Sequence, residues 1–293
     1  MSDLHHLIAR AEKLLNRIEQ LLPAAPGAID WEASFAFRWR KRGSTGVIQP
    51  VLQPHQIQLK DLHGIDAQKK RVERNTRQFV EGYPANNILL TGARGTGKSA
   101  LVKAMLQKFA SQGLRLIEVD RHDLTDLPDI VEQIYAQPKR FIIFCDDLSF
   151  EADDAGYKAL KVVLDGSIAA ASENVLIYAT SNRRHLMPEY MQENMDAKHI
   201  GDEVHPAEAV EEKISLSERF GVWASFYPFD QEQYLKIAEY WVAYLKAPLD
   251  DIEAMRRAAL QWALTRGARS GRVAWQFARD WAGHSRSRRT GAK

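Results

Sequence analysis

The stretch Gly92-Ala93-Arg94-Gly95-Thr96-Gly97-Lys98-Ser99 has the residue types and spacing of a phosphate-binding loop. Its glycines allow consecutive backbone N–H groups to curve around an anion, and a following helix would point its positive end at the same place. Lys98 has the reach to meet the outer phosphates of a nucleoside triphosphate, and the Ser99 hydroxyl is a suitable ligand for magnesium. The apolar run Asn87-Ile88-Leu89-Leu90 precedes the loop, and Ala100-Leu101-Val102-Lys103-Ala104-Met105-Leu106 follows it. This is the strand–loop–helix context the chemistry requires, so the chain is expected to bind ATP or GTP through Gly92 to Ala100.

A second set of residues fits hydrolysis. Phe141-Ile142-Ile143-Phe144-Cys145 is an apolar strand that ends in Asp146 and Asp147. The carboxyl ends of parallel strands form the ligand-binding edge of an α/β sheet. There Asp146 would hold the magnesium shell, and Asp147 would polarise the attacking water; Glu151, a few residues on, is the alternative base. A further strand ends in Thr180-Ser181-Asn182, where the Asn182 amide can touch both the terminal phosphate and the water. Arg219 and Arg272 carry guanidinium groups able to stabilise a transferring phosphoryl group, although spacing alone assigns neither a role.

The elements that position these residues follow from periodicity. A helix is expected over about Asp66 to Phe79, then the strand and helix around the P-loop, with the helix running to about Ala110. Leu114–Val119, Phe141–Asp146, Asn174–Thr180 and Val222–Phe226 read as strands, and Ile130–Tyr135 and Tyr157–Leu164 as helices. Apolar strands alternating with helices predict a parallel sheet covered on both faces. Asp230 with Gln233 is a capping-box pattern ahead of a helix over Tyr234–Leu245. Two more helices, about Ile252–Thr265 and Arg272–Ala282, complete a small lid. The layout is an N-terminal helix and extended arm (1–60), an α/β domain (61–228), a helical lid (229–283) and a basic tail (284–293) expected to fray.

Composition sets outer limits. The 293 residues are 45% hydrophobic and 27% charged, with a net charge of +2, which implies no nucleic-acid partner by itself. Charge is uneven: Glu189 to Glu218 holds nine acids against two lysines, and Arg266 to Lys293 eight basic residues against one acid. The single cysteine, Cys145, excludes an internal disulfide and reads as inert core. Leader and membrane-span patterns are not found, so a cytoplasmic protein is expected. Leu4 to Leu22 forms an amphipathic helix pattern that could face its own core or a partner. Phe35-Ala36-Phe37-Arg38-Trp39-Arg40-Lys41-Arg42 interleaves basic and aromatic residues, which suits either a polyanion surface or a structural contact. Trp241, Trp262, Trp275 and Trp281 are expected to build the lid core.

Together these motifs resemble the AAA+ ATPase superfamily from about Leu62 to Ala282. More narrowly, the chain is similar to a bacterial family of uncharacterised ATP-binding AAA+ proteins. That likeness rests on Asp61-Leu62-His63-Gly64, Asn75-Thr76-Arg77-Gln78-Phe79, the P-loop, Phe144-Cys145-Asp146-Asp147-Leu148-Ser149-Phe150-Glu151 and Ser215-Leu216-Ser217-Glu218-Arg219-Phe220-Gly221. The resemblance implies ATP or ADP with Mg2+, a five-stranded parallel sheet with the P-loop strand beside the fourth, and a homo-oligomeric ring or spiral. It implies that Leu62, His63 and Gly64 line the adenine and ribose side and that Arg219 is an arginine finger entering a neighbouring site. Arg272 would be the lid sensor, with Arg269 as fallback. Two departures stand out: the superfamily's acidic pair usually ends in glutamate, and an acidic stretch over His185–Lys213 is inserted before Arg219. The function implied is ATP-driven remodelling of an unidentified client. The rival readings are a nucleic-acid-linked ATPase of helicase-loader or transposition-helper type and a nucleotide-gated binding module with little turnover.

Overall fold

The computed structural model describes residues 29–42, 45–150, 154–165, 173–182, 216–249 and 251–290, with five positions between His5 and Lys13. The chain divides into two compact units, Met1–Glu32 and Ala33–Lys293. In the first, the Glu32 N–H donates to Asp30 Oδ1 at 2.9 Å. Most of the amphipathic segment from Leu4 to Leu22 lies outside the described residues, as does the acidic stretch 185–213.

The second unit contains strands Ala36–Arg42 (β1), Thr45–Pro50 (β2), Ile88–Gly92 (β3), Leu114–Val119 (β4), Arg140–Cys145 (β5), Val175–Ser181 (β6) and Val222–Phe226 (β7). They form one sheet in the order β2-β1-β4-β5-β6-β3-β7. All pairings are parallel except β1 with β2. Helices Asp66–Val80 (α1), Lys98–Phe109 (α2), Leu127–Ile134 (α3) and Ala155–Asp165 (α4) belong with the sheet. Gln231–Tyr244 (α5), Ile252–Arg266 (α6) and Gly271–Thr290 (α7) make the lid. This is an α/β P-loop fold. The P-loop strand β3 runs between β6 and β7, with Ile88 opposite Tyr178 on one side and Val222 on the other.

The central strands are near-continuous apolar runs because both faces are covered. Ile88, Leu89 and Leu90 are fully buried, as is Phe141 through Cys145. Burial pushes the Cys145 thiol up to about 12, so it stays a protonated packing group. The lid opens with the expected capping box: Asp230 Oδ1 accepts from the Gln233 N–H at 2.8 Å, and Gln233 Oε1 accepts from the Asp230 N–H at 3.1 Å. Its interior is made by Tyr234, Ile237, Ala238, Val242, Met255, Ala259, Ala274 and Phe277, all buried. Trp241, Trp262 and Trp281 are partly buried against that core, and Trp275 is partly buried beside Trp241. Helix α7 runs on to Thr290 where a frayed tail was expected. The Ser/Arg run after His284 contains neither proline nor an early glycine stop, and each added residue extends a helix already nucleated. Among the described residues no helix is long and apolar enough to cross a membrane.

The sheet has seven strands, not five, and the extra pair comes from the segment expected to be an extended arm. β1 joins β4 in parallel, and β2 folds back on β1. Phe37 and Trp39 are buried, so these rings offer no stacking face to bases. Arg38 Nε donates to Glu118 Oε2 at 2.9 Å, Lys41 pairs with Asp126 at 2.9 Å, and Arg40 lies 3.5 Å from Asp120. In this segment the basic and aromatic side chains make the structural contact that docks the edge hairpin β1–β2 on β4. Partly exposed ion pairs contribute only about 0–1 kcal/mol each, whereas burying one large aromatic side chain stabilises by roughly 1.5–3 kcal/mol. The rings therefore hold β1, and the charges set its register.

One contact makes this testable. A Cβ added at Gly46 would sit 1.7 Å from Trp39 Cζ2. Trp39 Nε1 donates to Asp126 Oδ2 at 3.0 Å, so the ring cannot move aside without losing that bond. Gly46→Ala is expected to cost about 1–3 kcal/mol, read as a lowered midpoint in chemical denaturation. An unchanged midpoint would show that the hairpin does not contribute to the stability of the unit.

Candidate active site

The P-loop is shaped by three left-handed glycines, Gly92 at φ 124°, Gly95 at φ 74° and Gly97 at φ 102°. Gly92 and Gly95 each face a neighbour that leaves little room for a side chain. A Cβ on Gly92 would lie 1.9 Å from the Phe226 carbonyl oxygen, and one on Gly95 would lie 2.8 Å from Ser270 Oγ. The loop is fastened to β7 by the Ala93 N–H donating to Phe226 O at 3.2 Å, and to the lid by the Gly271 N–H donating to Gly95 O at 2.9 Å. Thr96 Oγ1 closes the turn on Ala93 O at 2.7 Å.

Lys98, at the first turn of α2, is buried. Its Nζ donates to Gly92 O at 2.7 Å, Ala93 O at 2.8 Å and Asn182 Oδ1 at 2.9 Å. Burial lowers its pKa; Asp147 and Asp146 oppose that shift, while Arg94 and Arg272 add to it. Arg94, Lys98 and Arg272 all line one cavity of about 880 Å3. Three cations facing a common space suit a polyanionic ligand of nucleotide size.

At the ends of β5 and β6 the acids are organised around hydroxyls. Asp146 Oδ1 accepts from Ser99 Oγ at 2.6 Å and from Thr180 Oγ1 at 2.6 Å. The Asp147 N–H donates to Thr180 Oγ1 at 2.9 Å, and Asn182 Nδ2 donates to the Asp147 carboxylate. A serine hydroxyl and a carboxylate converging from two elements form the hard-oxygen set that magnesium takes, so Ser99 and Asp146 fit that ion.

The cavity also receives Leu62, His63, Gly95, Thr96, Gly97, Ala100 and Asn182, with Phe229, Trp241, Tyr244 and Trp275 from the lid side. Gly64 is exposed beside it at φ 73°, where a Cβ would meet the Phe229 ring at 3.1 Å. Gly92 and Ala93 shape the loop from behind without lining this cavity, and Ala93 faces a second one. Arg269 also faces that second cavity, so it does not share the Arg272 position. Glu151 lies outside the described residues. Arg219 does not line the cavity of its own chain; its Nε is paired with the Asp165 carboxylate at the end of α4.

Several residues in and around the cavity escaped the sequence reading. Tyr240 donates to the buried Asp61 carboxylate at 2.5 Å and packs on the His63 ring at a centroid distance of 4.2 Å, tying lid to core on the far side from the phosphates. Burial, and then Lys69, lower the His63 pKa, which keeps the ring neutral at pH 7. Tyr240, Trp241 and Tyr244 share one helical face, a spacing visible in the sequence but equally typical of core. His55, Gln56 and Ile57 also reach the cavity from the segment read as a bare connection.

No curated protein matches the chain. Among solved structures, a mutant of Thermotoga maritima RuvB is 11% identical, with a TM-score of 0.48 over 76% of this chain and 63% of that one. The chain thus spans less than two thirds of that structure's length. The Thermotoga maritima RuvB Holliday junction branch migration motor is 11% identical, with a TM-score of 0.42, covering 75% of this chain and 70% of that one. A chain of the E. coli MS115-1 HORMA:CdnC:Trip13 complex is 13% identical, with a TM-score of 0.47, covering 78% and 92%. The family model described as "Protein of unknown function (DUF815)" matches residues 32–285, a span that holds the P-loop, the Asp146–Asp147 strand end and the lid arginine, and the chain belongs to that family.

Proposed function

We propose that this chain is a magnesium-dependent ATPase whose active site is shared between subunits of a homo-oligomer and whose turnover moves a client. The observation that carries the reading is the convergence of Lys98, Ser99, Asp146, Asp147 and Asn182 in one hydrogen-bonded group at the mouth of the P-loop. Magnesium, when bound, would neutralise charge between the outer phosphates, held by Ser99 and Asp146. The loop amides and Lys98 hold the phosphates, and Asn182, bonded to Lys98 and Asp147, contacts the terminal phosphate and the attacking water in this reading. Asp147 takes the proton of that water as its oxygen adds to the terminal phosphorus and the bond to the ADP oxygen breaks. Leu62 and His63 contact the adenine side, facing the aromatic wall of the lid. Arg272 completes the charge clamp from the lid of the same chain.

Arg219 supports the shared-site part. It lies outside its own cavity, which supports a role toward a neighbour's site, reached once its pair with Asp165 opens. Asn182 already holds the Asp147 carboxylate. This favours, as the second reading, a nucleotide-gated module in which ATP orders the lid and hydrolysis is residual.

ATP turnover measured against protein concentration, with Lys98→Ala as blank and particle mass recorded alongside, separates the two. The specific rate is expected to rise as particles assemble; a constant rate across a mass change would exclude a shared site. ATP binding without turnover above the blank would select the gated module.

Arg219→Ala should lower turnover by roughly 10³-fold, the scale of an arginine finger, while ATP still binds. Mixing Arg219→Ala with Lys98→Ala subunits should recover part of the activity. The first supplies intact nucleotide sites and the second intact fingers. Mixtures no more active than their components would place Arg219 outside the chemistry.

A further inference from the structure

Thr180 is buried at 1% exposure at the end of β6, and its one hydroxyl makes two directed bonds. The proton goes to Asp146 Oδ1 at 2.6 Å, and the oxygen accepts the Asp147 N–H at 2.9 Å. A hydroxyl has one proton and two lone pairs, so donating to Asp146 leaves the acceptor side for the amide. The same strand end grips the next residue as well. The Leu148 N–H donates to Thr180 O at 2.7 Å, and Ser181 Oγ donates to Leu148 O at 2.8 Å. Between these bonds the backbone of Asp147 takes φ 53°. Among the described residues only Asp147 and Lys246 are non-glycine residues in that region. Left-handed backbone disfavours most side chains, but aspartate and asparagine tolerate it best. The turn delivers the short Asp147 carboxylate to Asn182 Nδ2.

We infer that Thr180 is a positioning residue for the proposed hydrolysis: its hydroxyl fixes the metal-holding acid and the left-handed turn of the base together, and that turn is what fits an aspartate at position 147. The inference rests on the hydrolytic reading above. Ser99 also donates to Asp146 Oδ1, and it can go on donating while a lone pair of its oxygen faces magnesium. Thr180 differs in joining Asp146 to the backbone of Asp147. A glutamate at position 147 would carry a poorer left-handed residue and push its carboxylate one methylene past the Asn182 amide.

Three variants test this by ATP turnover and by equilibrium binding of a fluorescent ATP analogue with magnesium. Thr180→Val keeps the shape and removes the hydroxyl. It is expected to reduce kcat by roughly 10–100-fold, the scale of a misplacement of about 1 Å, with KM and analogue affinity changed less than about threefold. Thr180→Ser restores the hydroxyl and should keep at least about half the wild-type kcat. Asp147→Glu should turn over more slowly than wild type. A Thr180→Val protein with wild-type kcat, or a Thr180→Ser protein as impaired as Thr180→Val, would overturn the role of the hydroxyl. An Asp147→Glu protein as fast as wild type, or faster, would overturn the fit of the turn to aspartate. If Thr180→Val fails to bind the analogue and so reports misfolding, Thr180→Ser and Asp147→Glu decide the matter by the same criteria. A wild-type chain that binds the analogue yet never exceeds the Lys98→Ala blank would instead overturn hydrolysis itself, and this role with it.

Discussion

Lys98 carries a positive charge that the fold has largely withdrawn from water, and three oxygen atoms compensate for the loss. Two are the carbonyls of Gly92 and Ala93, and the third is the side-chain oxygen of Asn182. An isolated buried ammonium would be costly, so each of those oxygens has to be held in place. Gly92 can present its carbonyl because its backbone is left-handed and β7 presses against it, leaving no room for a side chain. Asn182 is held because it extends from β6, which runs beside the P-loop strand in parallel register. The order of the central strands is therefore what allows the charge to exist where it does. The same order brings Asp146 and Asp147 from β5 to the other side of the group, and their charges oppose the effect of burial on Lys98.

The polar group around Lys98 is only partly withdrawn from water: Thr180 is buried, Ser99 and Asp146 are half-buried and Asp147 is exposed. Ser99, Thr180, Asp146 and Asp147 are linked through two hydroxyls, of which that of Thr180 bonds to both acids. Buried polar groups are tolerable only when such networks are complete. The network is connected through single atoms, so removing one hydroxyl disturbs both acids at once. A surface ion pair such as Arg38–Glu118 has no comparable leverage, because water can replace either partner.

Much of this was legible in the sequence, for identifiable reasons. Glycines at fixed spacing, an apolar strand ending in acids, and a polar residue closing a later strand are local patterns, and the parallel fold brings such strand ends to one edge. Other features were not local. The pairing of Arg38 with Glu118 and Lys41 with Asp126 joins residues some 80 positions apart. Neither the basic–aromatic pattern nor its spacing distinguishes a docked hairpin strand from an open binding surface. Thr180 reads as an ordinary strand residue, since threonine is common in sheets and a hydroxyl's partners are set by the neighbouring strand. The tryptophans and tyrosines of the lid were legible as a helical face, but not which side of that face meets the cavity. Arg269 and Arg272, three residues apart, face different cavities because the start of α7 falls between them.

The lid is fastened to the core at both ends of the cavity, and this has a thermodynamic consequence. At the phosphate end the Gly271 N–H holds Gly95 O, Ser270 packs over Gly95, and Arg272 enters the cavity. At the opposite end Tyr240 holds Asp61 and covers His63. A ligand that spans the cavity touches elements tied to both fastenings, so it cannot bind with equal affinity to every lid position. Differential affinity is the only means by which a ligand shifts a conformational equilibrium. In the proposed function, a surface that shifted with the lid would be coupled to occupancy of the P-loop, and by linkage a partner bound to that surface would alter nucleotide affinity in return. That reciprocity applies whether turnover is fast or residual, so a coupling of nucleotide to partner is the property both functional readings share.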